Sequence, residues 1–368
     1  MQISNIVSQI FQNNELSTLK NILKHRTKRA YLVGGCVRDM LLGAKNIDFD
    51  IEVYDIDPFK FENIMHDIGA TGVGKSYFVY KYKNYDISLP RTESKNGIGH
   101  KAFIVSYCND EKIASKRRDF TMNAMMINIF NGEILDFWGG RKDIQNKILK
   151  IVDKHSFCGD SLRVLRAVQF AARFGLKADE QSLKIMRNIS IDDLSKDRIR
   201  SELEKFFIAP HKTFGIELLS DLGLDKRLFG VKFEPDSFGK IVQQHFNITH
   251  DSRSFLYDLI NFYKLNPKEI LDSLSLGKFY KKLINEPFLK RASRYEMMKI
   301  ALSMPLSNWL GLNTKNRVRM AVDLGFYDKT FNPNIDISKL SHLRGKDLGE
   351  HLKVLKELEI KAFLKDKR

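Results

Sequence analysis

The sequence predicts an α+β fold: a head of short strands and helices, then a helical arm. Two observations point there. Up to about residue 145, short apolar or alternating runs are broken by Gly, Pro and Asn, as strands and turns require. From about residue 155 strand signals fade and 3.6-residue apolar periodicity takes over, over 161–174, 181–189, 199–208 and several later segments. No internal repeat or low-complexity linker interrupts the change. The expected division is 1–148, 149–215 and 216–368.

Each element has a local reason. Residues 3–25 place Ile6, Ile10, Leu16, Leu19, Ile22 and Leu23 at helical spacing. Tyr31-Leu32-Val33 reads as a buried strand that ends at Gly34-Gly35. Val37 to Leu42 reads as a short helix closed by Gly43. Ile47 to Tyr54 is a strand, and Pro58 opens a helix that runs to about Ile68. Tyr77 to Leu89 is aromatic and β-branched, hence strand, with a break near Asn84. Arg91 to His100 is polar, contains Gly97 and Gly99, and reads as a loop. Asn131-Gly132 between two apolar runs signals a hairpin.

Composition narrows the function. The 368 residues carry a net charge of +16, with 43% hydrophobic residues, enough for real cores. The excess positive charge favours a polyanionic partner, nucleic acid before an anionic membrane, although solvated lysine faces also produce such a balance. Cys36, Cys108 and Cys158 lack paired spacing, which argues against a zinc site or a disulfide scaffold and fits reduced thiols in the cytoplasm. No apolar stretch approaches a membrane span, and the first residues lack the pattern of a signal peptide.

The chemistry concentrates around Asp48 and Asp50. Strand side chains alternate faces, so this pair points one way and offers a seat for hard cations such as Mg²⁺. Alone, such a pair also fits a solvated strand end. Gly34 and Gly35 upstream allow backbone N–H groups to approach phosphate, and Arg38 adds charge from the first turn of the next helix. Metal, phosphate and a basic chain together point to nucleotidyl transfer.

These residues resemble a known family. Gly34-Gly35-x-Val37-Arg38-Asp39, Leu42-Gly43 and Asp48-x-Asp50 look like the head motif of class II nucleotidyltransferases, the tRNA CCA-adding enzymes and bacterial poly(A) polymerases. Arg117-Arg118-Asp119-Phe120-Thr121-Met122-Asn123-Ala124 resembles the second motif, and Asp136-Phe137-Trp138-Gly139-Gly140 with Asp143 the third. Asp160-Ser161-Leu162-Arg163-x-Leu165-Arg166-Ala167 with Gln169 to Phe174 resembles the nucleotide-selecting helix. Four motifs in order, over roughly residues 31–174, form a specific signal; the rest of the chain is only loosely similar.

The resemblance implies a polymerase-β-like head, a small mixed sheet with helices, followed by an all-α neck, body and tail. It implies addition of C, C and A to tRNA 3′ ends from CTP and ATP without a nucleic-acid template. Enzymes adding only A or only CC, and poly(A) polymerases, share the motifs. Asp48 and Asp50 would hold two Mg²⁺ ions, and Asp86 on a neighbouring strand would be a third catalytic carboxylate. Arg117, Arg118, Asp119 and Asn123 would contact the incoming nucleotide, with Asp160, Arg163 and Arg166 on the selecting helix. A carboxylate only accepts and a guanidinium only donates, so Asp160 with Arg163 suits the pairing edges of C and A and rejects U and G. A salt bridge or helix start explains the same two residues. The family usually has Glu directly before this Asp, to orient the Arg; here stands Gly159. The polar loop 89–101 favours full CCA addition by the same resemblance.

Two motifs lead elsewhere. Residues 69–76 fit GxxxxGK[ST], but a P-loop runs from strand to helix, and here a helix precedes and a strand follows. His250-Asp251 with nearby His245 is similar to an HD phosphohydrolase fragment without a full ligand set. A non-catalytic RNA-binding protein is the remaining class. In the arm, Lys281-Lys282 fits an RNA contact or a solvated face equally well.

Overall fold

The computed structural model describes residues 14–44, 48–74, 78–95, 103–340 and 342–366. Residues 3–13 of the helical segment expected over 3–25, Ile47, and the Lys75-Ser76 end of the P-loop-like run lie outside them, as does the centre of the polar loop. The chain forms two compact units, Met1–Ser195 and Lys196–Arg368. The division falls inside the segment expected as the neck.

The first unit is built on a seven-stranded mixed sheet of order β3-β4-β5-β2-β1-β8-β9. Its strands are β1 (Ala30–Val33), β2 (Phe49–Val53), β3 (Thr71–Gly74), β4 (Val79–Tyr82), β5 (Tyr85–Ser88), β8 (Met126–Asn128) and β9 (Ile134–Leu135). β1 is central and all four of its residues are buried, as its unbroken apolar run demands. β2 and β5 pair in parallel, and the other pairings in this sheet are antiparallel. The Asn131-Gly132 turn joins β8 to β9, with Gly132 at φ +77°. The break expected near Asn84 is the β4–β5 turn, where Lys83 takes φ +55°.

Three helices pack into this core. α1 (Asn14–Leu23) buries Leu16, Leu19 and Leu23. α2 (Gly35–Leu41) follows β1 with only Gly34 between them. α3 (Pro58–Asp67) starts with Pro58 behind the cap Asp57, whose carboxylate accepts from Phe59 N and Lys60 N. Leu16, Leu19, Ile51, Val53, Phe61 and Ile87 share one apolar cluster.

The polar segment 91–100, expected as a loop, begins as a strand. Arg91–Lys95 (β6) and Phe103–Tyr107 (β7) form an antiparallel pair, with Arg91 opposite Tyr107. In β6 the ladder's backbone hydrogen bonds hold a polar run, Arg91 to Lys95, that has no apolar alternation to announce a strand. The P-loop-like run has the wrong order: α3 precedes it and β3 occupies its middle.

The rest of the first unit is α4 (Glu111–Ser115), α5 (Gly140–Gln145), α6 (Lys154–Cys158), α7 (Leu162–Phe174) and α8 (Glu180–Arg187), with a two-residue parallel pair, Ile148–Leu149 and Lys177–Ala178.

The second unit is helical: α9 (Lys196–Phe207), α10 (Lys212–Asp221), α11 (Leu224–Phe229), α12 (Pro235–Phe246), α13 (Ser254–Tyr263), α14 (Pro267–Ser273), α15 (Lys278–Lys281), α16 (Arg294–Ala301), α17 (Lys315–Leu324) and α18 (Gly345–Asp366). Several of its aromatics form the core. Phe206, Phe207, Phe229 and Phe238 all set their rings against Phe255 at centroid distances of 4.9–5.9 Å. Among the described residues no helix is long and apolar enough to cross a membrane.

Candidate active site

The site grows from the middle of the sheet. β2 carries Asp50, and β5 lies beside it in parallel with Asp86 directly opposite. Asp48 is exposed, immediately before β2, two residues from Asp50. The structure therefore brings Asp50 and Asp86 to adjacent register positions and leaves Asp48 at the open end. Asp86 Oδ1 has no hydrogen-bond partner; Lys81 Nζ stands 3.6 Å from it. The surrounding protein pushes the Asp50 carboxyl above the usual range; Arg118 opposes this and Asp86 adds to it. Among the described residues no three His, Cys, Asp or Glu side chains are grouped to hold a metal. A pair of carboxylates still fits Mg²⁺, which commonly takes one or two protein carboxylates and completes its shell with water and substrate phosphates.

Gly34 closes the site from above. It ends β1 at φ +76°, a conformation L side chains avoid. A Cβ there would lie 3.1 Å from Arg118 Nη1 and 3.4 Å from Asp50 Oδ2. The missing side chain is what lets a guanidinium, a carboxylate and the backbone meet. Gly35 has its own neighbour: a Cβ would lie 3.3 Å from Arg38 Nη2.

Arg117 and Arg118 converge on Glu52, a residue the sequence reading passed over. Glu52 continues the alternation Asp48, Asp50, Glu52 and is 1% exposed. Its Oε1 accepts from Arg117 Nη2 and, at 2.8 Å, from Arg118 Nη2; its Oε2 accepts from the Tyr54 hydroxyl at 3.1 Å. Burial alone would raise the carboxyl, but Arg117 and Arg118 pull it down to about 2. Glu52 thus binds both guanidinium groups and holds Arg118 beside Gly34. The alternation was the available signal; the partners, 65 and 66 residues away, were not visible locally.

Arg38 has another setting. It was expected to offer charge to a triphosphate, but its guanidinium is buried. It bonds Asp39 Oδ1 at 2.7 Å and Asn123 Oδ1 at 2.5 Å, and lies over the rings of Phe170 and Phe174. Its helix turns inward, so the charge braces the protein. Asp119 and Asn123 belong to the same network. Asp119 Oδ1 accepts from Asn123 Nδ2 and Phe120 N, and Oδ2 from Arg166 Nε, each at 2.8 Å. Burial would push Asp119 up, yet Arg166 and Asn123 hold it below the ordinary range. Arg173 Nη2 completes the set on Asp39 Oδ2 at 3.0 Å. These residues tie α7 to α2 and to the segment 119–123.

The selecting residues stand at the start of α7. Asp160 precedes the helix, and its Oδ1 accepts from Leu162 N at 3.2 Å. Arg163 Nη1 donates to Ser156 O and Oγ, and its Nη2 donates to Arg117 O at 2.6 Å. Gly159 has φ −66°, an ordinary helical value, so its backbone does not demand glycine.

Residues 30–150 match the family model "Poly A polymerase head domain", and residues 177–250 match "Probable RNA and SrmB- binding site of polymerase A". The chain belongs to the class II nucleotidyltransferase family. Members of this family generally use divalent metals. The chain is similar to the CCA-adding enzyme of Lactococcus lactis subsp. cremoris (strain MG1363), 26% identical over 393 residues that cover 95% of this chain and 92% of that protein. Its fold is that of the Thermotoga maritima CCA-adding enzyme complexed with tRNA, at a TM-score of 0.64 and 21% identity, covering 99% of this chain and 95% of that one. It is equally that of the Bacillus stearothermophilus CCA-adding enzyme in complex with CTP, at 0.64 and 22%, covering 95% and 92%.

Proposed function

We propose that this nucleotidyltransferase adds C, C and A to tRNA 3′ ends from CTP and ATP, without a nucleic-acid template and with release of pyrophosphate. The observation that carries the reading is the pairing of Asp50 with Asp86 beneath Gly34, with Arg118 alongside. The CCA-adding relative that matches nearly the whole chain supplies the substrate class.

Mg²⁺ held by Asp50 and Asp86, with Asp48 at the open end, would neutralise charge on the triphosphate and favour the attacking 3′-oxygen. The chain's own groups do the rest. The bond that forms joins the RNA 3′-oxygen to the α-phosphorus, and the bond that breaks releases the β and γ phosphates together. Arg117 and Arg118, fixed by Glu52, balance the anion, and the Gly34 backbone comes close because no Cβ intervenes. Asp160 accepts from the exocyclic amino group of C or A, and Arg163 donates to the neighbouring ring nitrogen. Ser156 and the Arg117 carbonyl hold the Arg163 guanidinium, the task the family usually gives to Glu at the position of Gly159. In this reading residues 1–148 carry the chemistry, 149–215 the selection and 216–368 the tRNA contacts. The free thiols of Cys36, Cys108 and Cys158 support a cytoplasmic setting.

The test is addition to tRNAs ending at the discriminator base, at -C and at -CC, with each triphosphate alone. CTP should extend the first two and ATP the third. A on -CC only, or C without A, makes this a partial enzyme; A on unstructured RNA but not on tRNA makes it a poly(A) polymerase. Asp48→Ala with Asp50→Ala should lower the rate by about 10³-fold or more, since charge stabilisation at the reacting phosphate is lost. An unchanged rate in that double variant sinks the metal reading.

A further inference from the structure

The second unit holds a polar pocket of about 660 Å³ lined by residues that include His245, Lys282, Asn285, Glu286 and Asn308. Its volume suits a small ligand. His245, near the end of α12, is 0% exposed. Its Nδ1 lies 2.8 Å from Asp258 Oδ2 on α13. Asp258 Oδ1 accepts from Asn313 Nδ2 at 3.3 Å, and Asn313 Oδ1 accepts from Arg317 Nη1 at 3.1 Å. Three residues thus line up behind one imidazole and fix its orientation. Only the far end lacks a partner: His245 Nε2 is buried and has no hydrogen-bond partner. Buried polar atoms are nearly always satisfied, so an orphan at the wall of a pocket marks a place for a ligand group.

We propose that this pocket binds a ribonucleotide unit of the RNA substrate and that His245 reads its 2′-hydroxyl. Nδ1 is engaged by Asp258, so Nε2 is the ring nitrogen left for a ligand, and a hydroxyl, which both donates and accepts, can meet it. A metal ion is disfavoured, because no three ligating side chains are grouped among the described residues. A free polyanion is disfavoured as well, because Asp251 and Glu286 also line the pocket. Asp251 is clamped by Arg253 and Glu286 accepts from Leu310 N, which leaves Lys282, exposed beside them, for one phosphate. A sugar hydroxyl with a single adjoining negative charge meets all of these conditions. The 2′-hydroxyl is also the group by which proteins tell RNA from DNA. His245 lies within the segment that matches the RNA-binding family model.

The inference rests on RNA being the substrate, and its test omits triphosphates, so it stands or falls apart from catalysis. Equilibrium binding of the full chain is measured for a tRNA transcript and for an all-deoxy strand of the same sequence. His245→Phe should weaken RNA binding about tenfold, the loss of one well-placed hydrogen bond, and leave DNA binding within about twofold. Lys282→Ala should weaken both alike and flatten the salt dependence. Equal losses on RNA and DNA for His245→Phe, or no loss, overturn the proposal. In the unaltered chain, the ¹⁵N resonance of His245 Nε2 should shift on adding the transcript and stay in place with the deoxy strand. An unmoved resonance in both additions overturns it whether or not the variant folds.

Discussion

Two buried polar networks, one in each unit, differ in how their acceptors are satisfied. In the first, every oxygen of Asp39, Glu52 and Asp119 has a donor, from an arginine, an asparagine, a tyrosine or a backbone amide. In the second, the chain of His245, Asp258, Asn313 and Arg317 ends on an empty nitrogen, and a lysine lies buried nearby with no acidic partner in contact. A closed network fixes charges in place and resists change. An open one carries a standing penalty that only a ligand, or a substitution, removes. The first arrangement suits a site that must hold two cations still; the second suits a surface that is completed on binding.

Breaking the closed network should give the largest effect. Glu52→Ala leaves Arg117 and Arg118 without their shared anion and should destabilise the first unit by about 3–5 kcal/mol. The chain has two tryptophans, Trp138 and Trp309, one in each unit, so Trp138 fluorescence in a Trp309→Phe background reports this unfolding separately. The sign with pH follows from the depressed carboxyl. The stabilisation is fully present above the unfolded value of 4.5 and is lost as pH falls toward about 2. The gap between the parent and Glu52→Gln should therefore close between pH 4.5 and 2; a constant gap excludes an ionised Glu52 as its source.

Gly34→Ala probes how tightly the closed network borders the reacting groups. The methyl would sit 3.1 Å from Arg118 Nη1, at a φ of +76° that alone costs roughly 1–2 kcal/mol. CTP addition should fall at least about tenfold, since small misplacements at a reacting centre are expensive. Unchanged kcat/KM with CTP would show that Arg118 does not need its place beside Gly34.

The contrast also explains what the sequence revealed. The strand carrying Asp50 and the glycine turn before it were legible because their pattern is local; Asp86 came from the family resemblance, on the strand expected over 77–89 with its break near Asn84. The helices from Leu162 onward were legible from periodicity. Glu52 was missed because the reason for it lies on Arg117 and Arg118, and Arg38 was turned the wrong way because Phe170 and Phe174 enclose it from far along the chain. β6, inside the segment expected as a loop, is a strand because pairing with β7, and not its own composition, makes it one. His245 was noticed for a neighbour, Asp251, while its true partner is Asp258, thirteen residues on and one helix away. Local pattern reports backbone and chemistry within a few residues; burial partners are set by the fold.

The smallest effect should come from closing the open side by substitution. Lys212 is 1% exposed; its Nζ donates to Ala209 O at 2.9 Å and lies 3.9 Å from the centre of the Phe246 ring. Burial lowers its pKa to about 8, with Asp258 pulling weakly the other way. A lysine whose folded value lies below its unfolded 10.5 destabilises the fold while charged, and that penalty is relieved as pH rises from 8 to 10.5. Lys212→Met keeps the length and apolar stem and removes the charge. It should stabilise the second unit at pH 7 by on the order of 1 kcal/mol, the lost hydrogen bond and ring contact offsetting part of the gain. Urea unfolding followed by Trp309 reads this directly, and the advantage should shrink as pH approaches 10.5. A Met variant that is less stable at pH 7, or equally favoured at both pH values, would mean that the charge is compensated in place, and the second unit would then bury its cation as comfortably as the first buries Arg38.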